Sequence, residues 1–232
     1  SMYKGVFYDR FIKGLWVVAA GLIFRYFAED DSPYLVEDDE LYETVNGKQK
    51  IRAFSKLVMG IDFGGSSSKT TFALSGYVNK YQKIFVLEED GNLPITDNID
   101  AKAICNEFVK FYRHCIEKYG RVDWVFPDSA STTMINSLIS AAKEAGIPYR
   151  NIAGCRKNEV SERPKTVDLL LNTGRLKINK RCTNIRKAIA SLRWDEKEPD
   201  IPEDKNIGNC NDWWDCFCYT WLDFVEYIDL NM

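Results

Sequence analysis

Three aspartates of this 232-residue chain lie at positions where carboxylates can bind metal ions. Asp62 ends the short apolar run 57–63, and Asp128 follows a second apolar run at 122–126. Asp215 lies in the first turns of a predicted C-terminal helix. If the two runs are neighbouring strands and the helix packs across their sheet, the three carboxylates converge at one edge.

Clustered carboxylates repel each other, by about 4 kcal/mol for two charges ~4 Å apart at an effective dielectric constant near 20. Protons or divalent cations must relieve that repulsion. Oxygen ligands without histidine or thiolate favour Mg²⁺ or Mn²⁺. Two such ions roughly 3.5–4 Å apart would activate a water molecule and stabilise the leaving oxygen in phosphodiester hydrolysis. Asp212, three residues before Asp215 on the same helical face, is a less certain further ligand.

Each of these aspartates also fits a structural role. Asp62 is suited to a turn at Gly64 and Gly65, and Asp128 to the N-cap of the helix that follows. Asp212 suits an N-cap as well, and Asp215 can compensate the dipole of its helix. The functional interpretation therefore depends on their joint placement rather than on any one residue.

Hydrophobic periodicity predicts the elements that would position these side chains. We expect strands at 57–63, 70–76, 83–89, 122–126 and 149–153, a hairpin around 176–178, and helices at 101–119, 132–145, 161–171, 184–194 and 212–228. Asp97 or Asp100 would cap the helix at 101–119. Residues 28–50 are acidic and polar and are predicted to form a loop. The order of elements predicts an α/β fold with a mixed β-sheet.

Composition excludes only a few classes of function. The net charge of −3 neither favours nor excludes nucleic acid. The seven cysteines are odd in number and form no CxxC pair, which suits free thiols in a reducing compartment. The single histidine, His114, argues against a histidine-based zinc site and a Ser-His-Asp triad. The longest apolar run, 15–24, is too short to span a bilayer.

Three stretches together resemble one protein family: MGIDFGGS at 59–66, WVFPDSA at 124–130, and the C-terminal part with KTV at 165–167, TGRLKI at 173–178, Cys182 and NDWWDCFCY at 211–219. They are similar to the C-terminal nuclease domain of the large terminase subunit of tailed bacteriophages. The aromatic segment 3–27 also resembles the stretch that leads into that domain from the motor domain.

This resemblance implies a ribonuclease H-like fold, a mixed β-sheet with helices on both faces. Residues 1–50 would be a lead-in segment from a motor domain that precedes them, and 51–232 the nuclease domain. The implied activity is metal-dependent cleavage of concatemeric double-stranded viral DNA, with two divalent cations, Mg²⁺ or Mn²⁺, on Asp62, Asp128 and Asp215. The implied partners are DNA, the terminase motor domain, the small terminase subunit and the portal. The resemblance also implies that the protein acts in the host cytoplasm and does not bind a membrane.

The sequence departs from the family pattern in one place and lacks one motif. Many relatives have histidine where this chain has Asp212, so Asp212 is a metal ligand, an outer-sphere group or a helix cap. The chain contains no G-x-x-x-x-G-K-[ST] motif, and the packaging ATPase is therefore expected outside it.

Basic residues concentrate after the fifth predicted strand and suggest a rim that contacts DNA phosphates in a salt-dependent, sequence-independent manner. The candidate DNA-binding residues are Lys69, Arg156, Lys157, Lys165, Arg175, Lys177, Lys180 and Arg181. Solvated charges without a ligand are the alternative for any one of them.

Other functions fit parts of the same pattern. Actin-like and sugar-kinase ATP-binding domains also open with a Gly-Ile-Asp-x-Gly-Gly-Ser hairpin, but this chain has no clear second phosphate loop. A resolvase or transposase-type ribonuclease H-like nuclease would prefer branched or terminal DNA. A non-catalytic interaction module would not cut DNA at any metal concentration.

Overall fold

The structure is a computed structural model that describes residues 21–65, 68–91, 93, 100–195, 197–198, 200–203 and 210–229. The aromatic segment before residue 21 and the alternative helix cap at Asp97 lie outside these residues.

The strands are β1 (Leu35–Val36), β2 (Tyr42–Val45), β3 (Lys48–Ile51), β4 (Lys56–Asp62), β5 (Thr71–Val78), β6 (Lys83–Asp90), β7 (Trp124–Pro127) and β8 (Leu176–Asn179). The α-helices are α1 (Arg25–Glu29), α2 (Ala101–Tyr119), α3 (Thr132–Glu144), α4 (Glu162–Asn172), α5 (Thr183–Ser191), α6 (Cys210–Tyr219) and α7 (Val225–Asp229). Short 3-10 turns occupy Ser32–Tyr34, Asp39–Leu41 and Leu222–Phe224.

Within the described residues the main sheet has six strands in the order β1-β8-β6-β5-β4-β7. β5 runs antiparallel to its neighbours β4 and β6. The pairs β4–β7, β6–β8 and β1–β8 are parallel. The C-terminal ends of β1, β8, β6, β4 and β7 therefore meet at one edge of the sheet, which we call the carboxyl edge.

Alternating side chains of the central strands supply two hydrophobic cores, one on each face of the sheet. Leu57, Met59 and Ile61 of β4 pack with α2 and α3 on one face. Val58 of β4 contributes to the other core, which is shared with α4, α5 and α6. The predicted mixed sheet with helices on both faces is confirmed.

The long helix α2 shows why local sequence predicted its ends so well. Asp100 caps its N-terminus by accepting a hydrogen bond from the Lys102 backbone N–H at 2.9 Å. Gly120, at φ 87°, ends it in the left-handed conformation that favours glycine, and its N–H donates to Ile116. Asp100 and Gly120 thus lie at the two ends of the segment whose apolar periodicity predicts a helix.

A backbone contact sets how α6 lies on the sheet. A Cβ atom on Gly60, in the middle of β4, would lie only 2.0 Å from the Cys216 carbonyl oxygen of α6. No side chain fits between the two backbones, so α6 rests directly on β4. This contact places the residues next to Cys216 near the carboxyl edge.

Several predicted elements differ from the structure. Residues 149–153 do not form a full strand: they make a single bridge to β7, between Ile152 and Val125. The expected hairpin at 176–178 is wrong: β8 is one strand that pairs in parallel with β6 and β1. The predicted helix 212–228 is two helices, α6 and α7, separated by the 3-10 turn Leu222–Phe224.

The described part of the predicted lead-in packs on the sheet rather than forming only a loop. Phe24, Phe27 and Leu41 are buried, and β1 extends the sheet beside β8. β2 and β3 form a separate antiparallel hairpin. The domain boundary at residue 50 stays a prediction, because nothing in the structure divides the chain there.

Two further expectations concern cysteines and membranes. All seven cysteines lie within the described residues, and none forms a disulfide bond. Across the described ranges, no helix has both the length and the hydrophobicity that crossing a bilayer requires.

We expect Gly60→Ala to lower the free energy of unfolding by about 3 kcal/mol, because the added methyl group must push the α6 backbone away from β4. Gly65→Ala is the matched control, since among the described residues a Cβ there meets just the Ser68 hydroxyl, at 3.7 Å. Urea denaturation measures both variants. Equal stability of the two would show that the β4–α6 contact is not tight.

Candidate active site

Strand pairing brings Asp62 and Asp128 to neighbouring positions at the carboxyl edge. β4 and β7 are parallel with Ile61 opposite Pro127, and each aspartate is the next residue of its chain. The Asp128 backbone N–H donates to the Ile61 carbonyl at 2.9 Å, which continues the ladder one step further. Two adjacent strands therefore end in carboxylates side by side.

Helix α6 brings the third carboxylate to the same place. Asp215 precedes Cys216, the residue whose carbonyl touches β4 at Gly60. Tyr219, one turn further along α6, is buried, and burial raises its pKa above the ordinary value. The negative charges of Asp215, Asp62 and Asp128 raise this pKa further, so the phenol lies within the field of all three acids.

The electrostatics of Asp62 show that the cluster is crowded. Burial raises the pKa of its carboxyl well above the usual value, and Asp215, Asp212 and Asp128 add to that shift in this order. The positive charge of Lys157 opposes it. A nearby cation would therefore stabilise the charged form of Asp62.

Two cationic side chains bind the other acids. The Lys157 ammonium lies 2.8 Å from Asp128 Oδ1, which also accepts the Ala130 backbone N–H at 3.0 Å. Arg163 Nη1 lies 2.7 Å from Asp215 Oδ1. The Arg163 side chain is only 5% exposed, its Nε donates to Asn158 Oδ1, and its guanidinium lies 5.8 Å from the centre of the Tyr219 ring. The Arg163–Asp215 ion pair is consequently held more rigidly than the Lys157–Asp128 pair.

Asp212 acts in the structure as a link between α6 and the loop after β4. It is the third residue of α6, so it is not the N-cap that the sequence allowed. Its Oδ2 accepts the Lys69 backbone N–H at 2.7 Å, and its own carbonyl accepts the Thr71 hydroxyl at 2.8 Å. The buried carboxylate thereby fixes the loop that leads into β5.

As they stand, the acids do not form a ready-made metal centre. Within the described ranges, no group of three or more histidine, cysteine, aspartate or glutamate side chains is arranged to hold one ion. Asp128 and Asp215 already bind Lys157 and Arg163. The donor set itself, carboxylates only, suits hard cations such as Mg²⁺ and Mn²⁺.

The basic residues predicted to contact DNA fall into separate groups. Lys69 and Lys157 lie at the acid cluster, and the Lys69 ammonium donates to the Gly91 carbonyl at 3.5 Å. The mostly exposed Arg156 is next to Lys157 and lies 3.6 Å from Asp223. Lys165 pairs with Glu162 at 2.6 Å along α4.

The remaining four lie in or beside β8 and are engaged within the protein. Arg175 is buried, and its guanidinium donates to the carbonyls of Tyr81, Gln82 and Ile228, which is a structural role rather than a phosphate contact. Lys177 donates to the Pro33 carbonyl at 2.6 Å. Lys180 pairs with Glu37, and Arg181 pairs with Asp38 and Glu88. The acidic segment before β2 therefore occupies this basic surface.

Sequence reasoning missed the roles of Arg163 and Tyr219. In the sequence, Arg163 is one of several scattered basic residues. It lies 52 residues before Asp215, so no short-range sequence pattern predicts their ion pair. Tyr219 follows Asp215 by one helical turn, and that spacing was a usable signal.

Comparisons with solved structures identify similar folds. The chain superposes on the large terminase of a thermophilic bacteriophage in complex with ADP with a TM-score of 0.67 and 24% identity, covering 97% of this chain and 50% of that one. The P22 large terminase nuclease domain gives a TM-score of 0.61 and 10% identity, covering 89% and 94%. The SPP1 large terminase nuclease domain with bound Mn gives a TM-score of 0.53 and 16% identity, covering 81% and 95%.

No protein-family model and no curated protein matches this sequence. The chain spans about half the length of the ADP-bound large terminase. It has the fold of phage large terminase nuclease domains, and the ribonuclease H-like architecture implied by the sequence resemblance is confirmed.

We expect the metal-free wild-type protein to lose stability relative to Asp62→Asn as the pH rises from about 4 to 7. An ordinary Asp has a pKa near 3.9, and the folded value for Asp62 is raised, so the folded state binds more protons than the unfolded state in this range. Stability then falls with rising pH until the folded pKa is passed, and asparagine removes that fall.

Thermal unfolding in EDTA across this pH range measures the difference. Asp39→Asn, on an exposed turn, is the control and should track the wild type throughout. A constant difference between Asp62→Asn and wild type at all pH values would contradict the crowding of charge around Asp62.

Proposed function

We propose that this chain is the nuclease domain of a phage DNA-packaging terminase, a metal-dependent endonuclease that cuts concatemeric double-stranded DNA. The observation that supports this most is the convergence of Asp62, Asp128 and Asp215 at the carboxyl edge of a ribonuclease H-like sheet. Mutual repulsion in such a cluster favours cation binding, and the manganese in the similar SPP1 domain supports the same conclusion.

Asp62, Asp128 and Asp215 are the residues that would hold the cations. Two bound divalent ions would supply an activated water and stabilise the leaving oxygen of the phosphodiester. Asp212 supports the centre from outside, since its carboxylate already accepts the Lys69 backbone N–H and fixes the adjoining loop.

Lys157 and Arg163 form ion pairs with Asp128 and Asp215. Cation binding requires these carboxylates to exchange an ion pair for a metal, and the half-exposed Lys157 can move away more easily than the buried Arg163. Once released, the Lys157 ammonium is a point charge beside the carboxylates and able to contact the phosphate that is cut.

DNA would approach the carboxyl edge over a rim of three basic residues, Lys69, Arg156 and Lys157. Lys157 pairs with Asp128, and its positive charge would attract the phosphate backbone where the carboxylates alone would repel it. Such contacts read charge rather than bases and predict binding that weakens with salt. Lys165, Lys177, Lys180 and Arg181 are further candidates, but each is paired with another part of the chain.

The resemblance also indicates where this domain works. We propose that it acts in the host cytoplasm as part of a longer terminase, together with a motor domain, the small terminase subunit and the portal.

We expect Asp62→Asn and Asp128→Asn each to reduce Mn²⁺-dependent nicking of supercoiled plasmid by about a hundredfold or more, because each removes a carboxylate from the metal centre. Asp39→Asn, an aspartate on an exposed turn, should cut at the wild-type rate. Circular dichroism verifies that each variant is folded. Wild-type nicking by either active-site variant would remove that residue from the metal centre.

We expect Lys157→Gln to bind Mn²⁺ up to about fivefold more tightly in calorimetric titration without DNA. The partly exposed pair with Asp128 that the metal must displace is worth up to about 1 kcal/mol. The same variant should bind DNA more weakly, since it loses a phosphate contact. Lys110→Gln, which breaks an exposed pair with Glu107 on α2, should change neither constant. Weaker Mn²⁺ binding by Lys157→Gln would show that Lys157 does not compete with the cation.

A further inference from the structure

We propose that Asp223 is a positioning residue of the site, which acts through Lys157 by holding the segment 154–157 beside the end of β7. This inference rests on the proposed nuclease function and adds to it a residue that lies outside the acid cluster.

The segment that carries Lys157 has no regular secondary structure. Residues 154–159 form neither helix nor strand, so no repeating ladder of backbone hydrogen bonds fixes their path. The Lys157 side chain is half exposed, and ion pairs as exposed as the one with Asp128 contribute little to holding a side chain. Its four-carbon stem is flexible as well. The place of the Lys157 ammonium therefore depends on the backbone that carries it.

Two close approaches tie the first part of this segment to the end of β7. The Cys155 backbone N–H donates to the Pro127 carbonyl at 2.9 Å. A Cβ atom on Gly154 would lie only 3.0 Å from the Ser129 Cβ, so the two stretches of chain pack closely. The segment consequently enters the site directly beside Asp128.

Asp223 ties the next part of the segment to another element. It lies in the 3-10 turn Leu222–Phe224, which follows α6, and its side chain is largely buried. Its Oδ2 accepts the Arg156 backbone N–H at 3.0 Å, and its Oδ1 lies 3.6 Å from the Arg156 Nε. Burial raises the pKa of the Cys155 thiol, and the negative charge of Asp223 raises it further. The carboxylate thus acts on the two residues immediately before Lys157.

The position of Asp223 links the two sides of the candidate site. Its turn continues the helix that carries Asp215, whereas Lys157 faces the acid at the end of β7. A backbone N–H bonded to a carboxylate forms a stronger hydrogen bond than one bonded to a neutral acceptor. This bond is therefore suited to keep Lys157 within reach of Asp128 and of a phosphate bound there.

The charge of Asp223 and its hydrogen bond predict effects of opposite sign. Loss of one negative charge near the acids should, by itself, weaken Mn²⁺ binding and strengthen DNA binding. Loss of the hydrogen bond should let Lys157 leave Asp128. Mn²⁺ then meets less competition, and DNA loses a phosphate contact, so a positioning role reverses both effects.

The test compares two substitutions of Asp223 in the full chain. We expect Asp223→Ala to bind Mn²⁺ about threefold more tightly in calorimetric titration, and a linear DNA duplex in EDTA about threefold more weakly. Asp223→Asn removes the same charge but retains an oxygen that accepts the Arg156 N–H, so it should show neither change. Glu226→Ala, which removes an exposed acid three residues further on, is the matched control and should also show neither.

A second background tests whether Asp223 acts through Lys157. In Lys157→Gln, the further change Asp223→Ala should leave both affinities unaltered, because the ammonium that it positions is gone. Circular dichroism verifies folding. If Asp223→Ala does not fold, Asp223→Glu replaces it, since this variant keeps the charge but displaces the acceptor, and it should give the same two shifts.

Two results would overturn the inference: affinities of Asp223→Ala that match those of Asp223→Asn, or an undiminished effect of Asp223→Ala in the Lys157→Gln background. Plasmid nicking by the wild type separates the two proposals. Nicking without the dependence on Asp223 refutes the positioning role alone. The dependence on Asp223 without nicking refutes the nuclease alone.

Discussion

The close approach of α6 to β4 is the constraint on which the candidate site depends. Because Gly60 has no side chain, the Cys216 carbonyl rests against the strand, and Asp215 is carried to the edge where β4 and β7 end. The same helix places Asp212 against the loop after β4, where it accepts the Lys69 backbone N–H. One backbone contact thus fixes both a candidate metal ligand and the loop beside it. A larger residue at 60 would separate the strand acids from the helix acids.

Charge balance explains how these acids can lie close together. Burial and three neighbouring carboxylates all disfavour the charged form of Asp62, while Lys157 and Arg163 neutralise Asp128 and Asp215. Asp128 and Asp215 thus each have a counter-ion, and no group of three acids is arranged around one point within the described residues. The ion pairs differ in burial, and this difference suggests an order of exchange, with the exposed lysine leaving before the buried arginine. The basic side chains beside β8 have a different role, because the acidic segment at 37–38 and Glu88 bind them.

Local sequence predicted those parts of the molecule that local interactions determine. Helix α2 was predicted at its observed ends because Asp100, Gly120 and the apolar stripe agree. The convergence of Asp62 and Asp128 followed from strands that end in acids, a rule that holds once the strands are neighbours. β8 was taken for a hairpin because its parallel partner β6 is distant in the chain. Arg163 and Arg175 looked alike in sequence, and only tertiary packing made one a partner of Asp215 and the other a donor to core carbonyls.

The two outer strands of the six-stranded sheet in the described chain are both short. β1 contributes only Leu35–Val36 and runs into the acidic residues 37–40. β7 ends at Pro127, and its outer side already exchanges hydrogen bonds between Val125 and residues 151 and 153. Neither edge strand therefore offers a strand of another molecule a row of unpaired backbone amides to pair with. At β1, like charges would also repel a second copy of this chain. The sheet is in this way protected against edge-to-edge aggregation, although its central strands are largely buried in the hydrophobic cores.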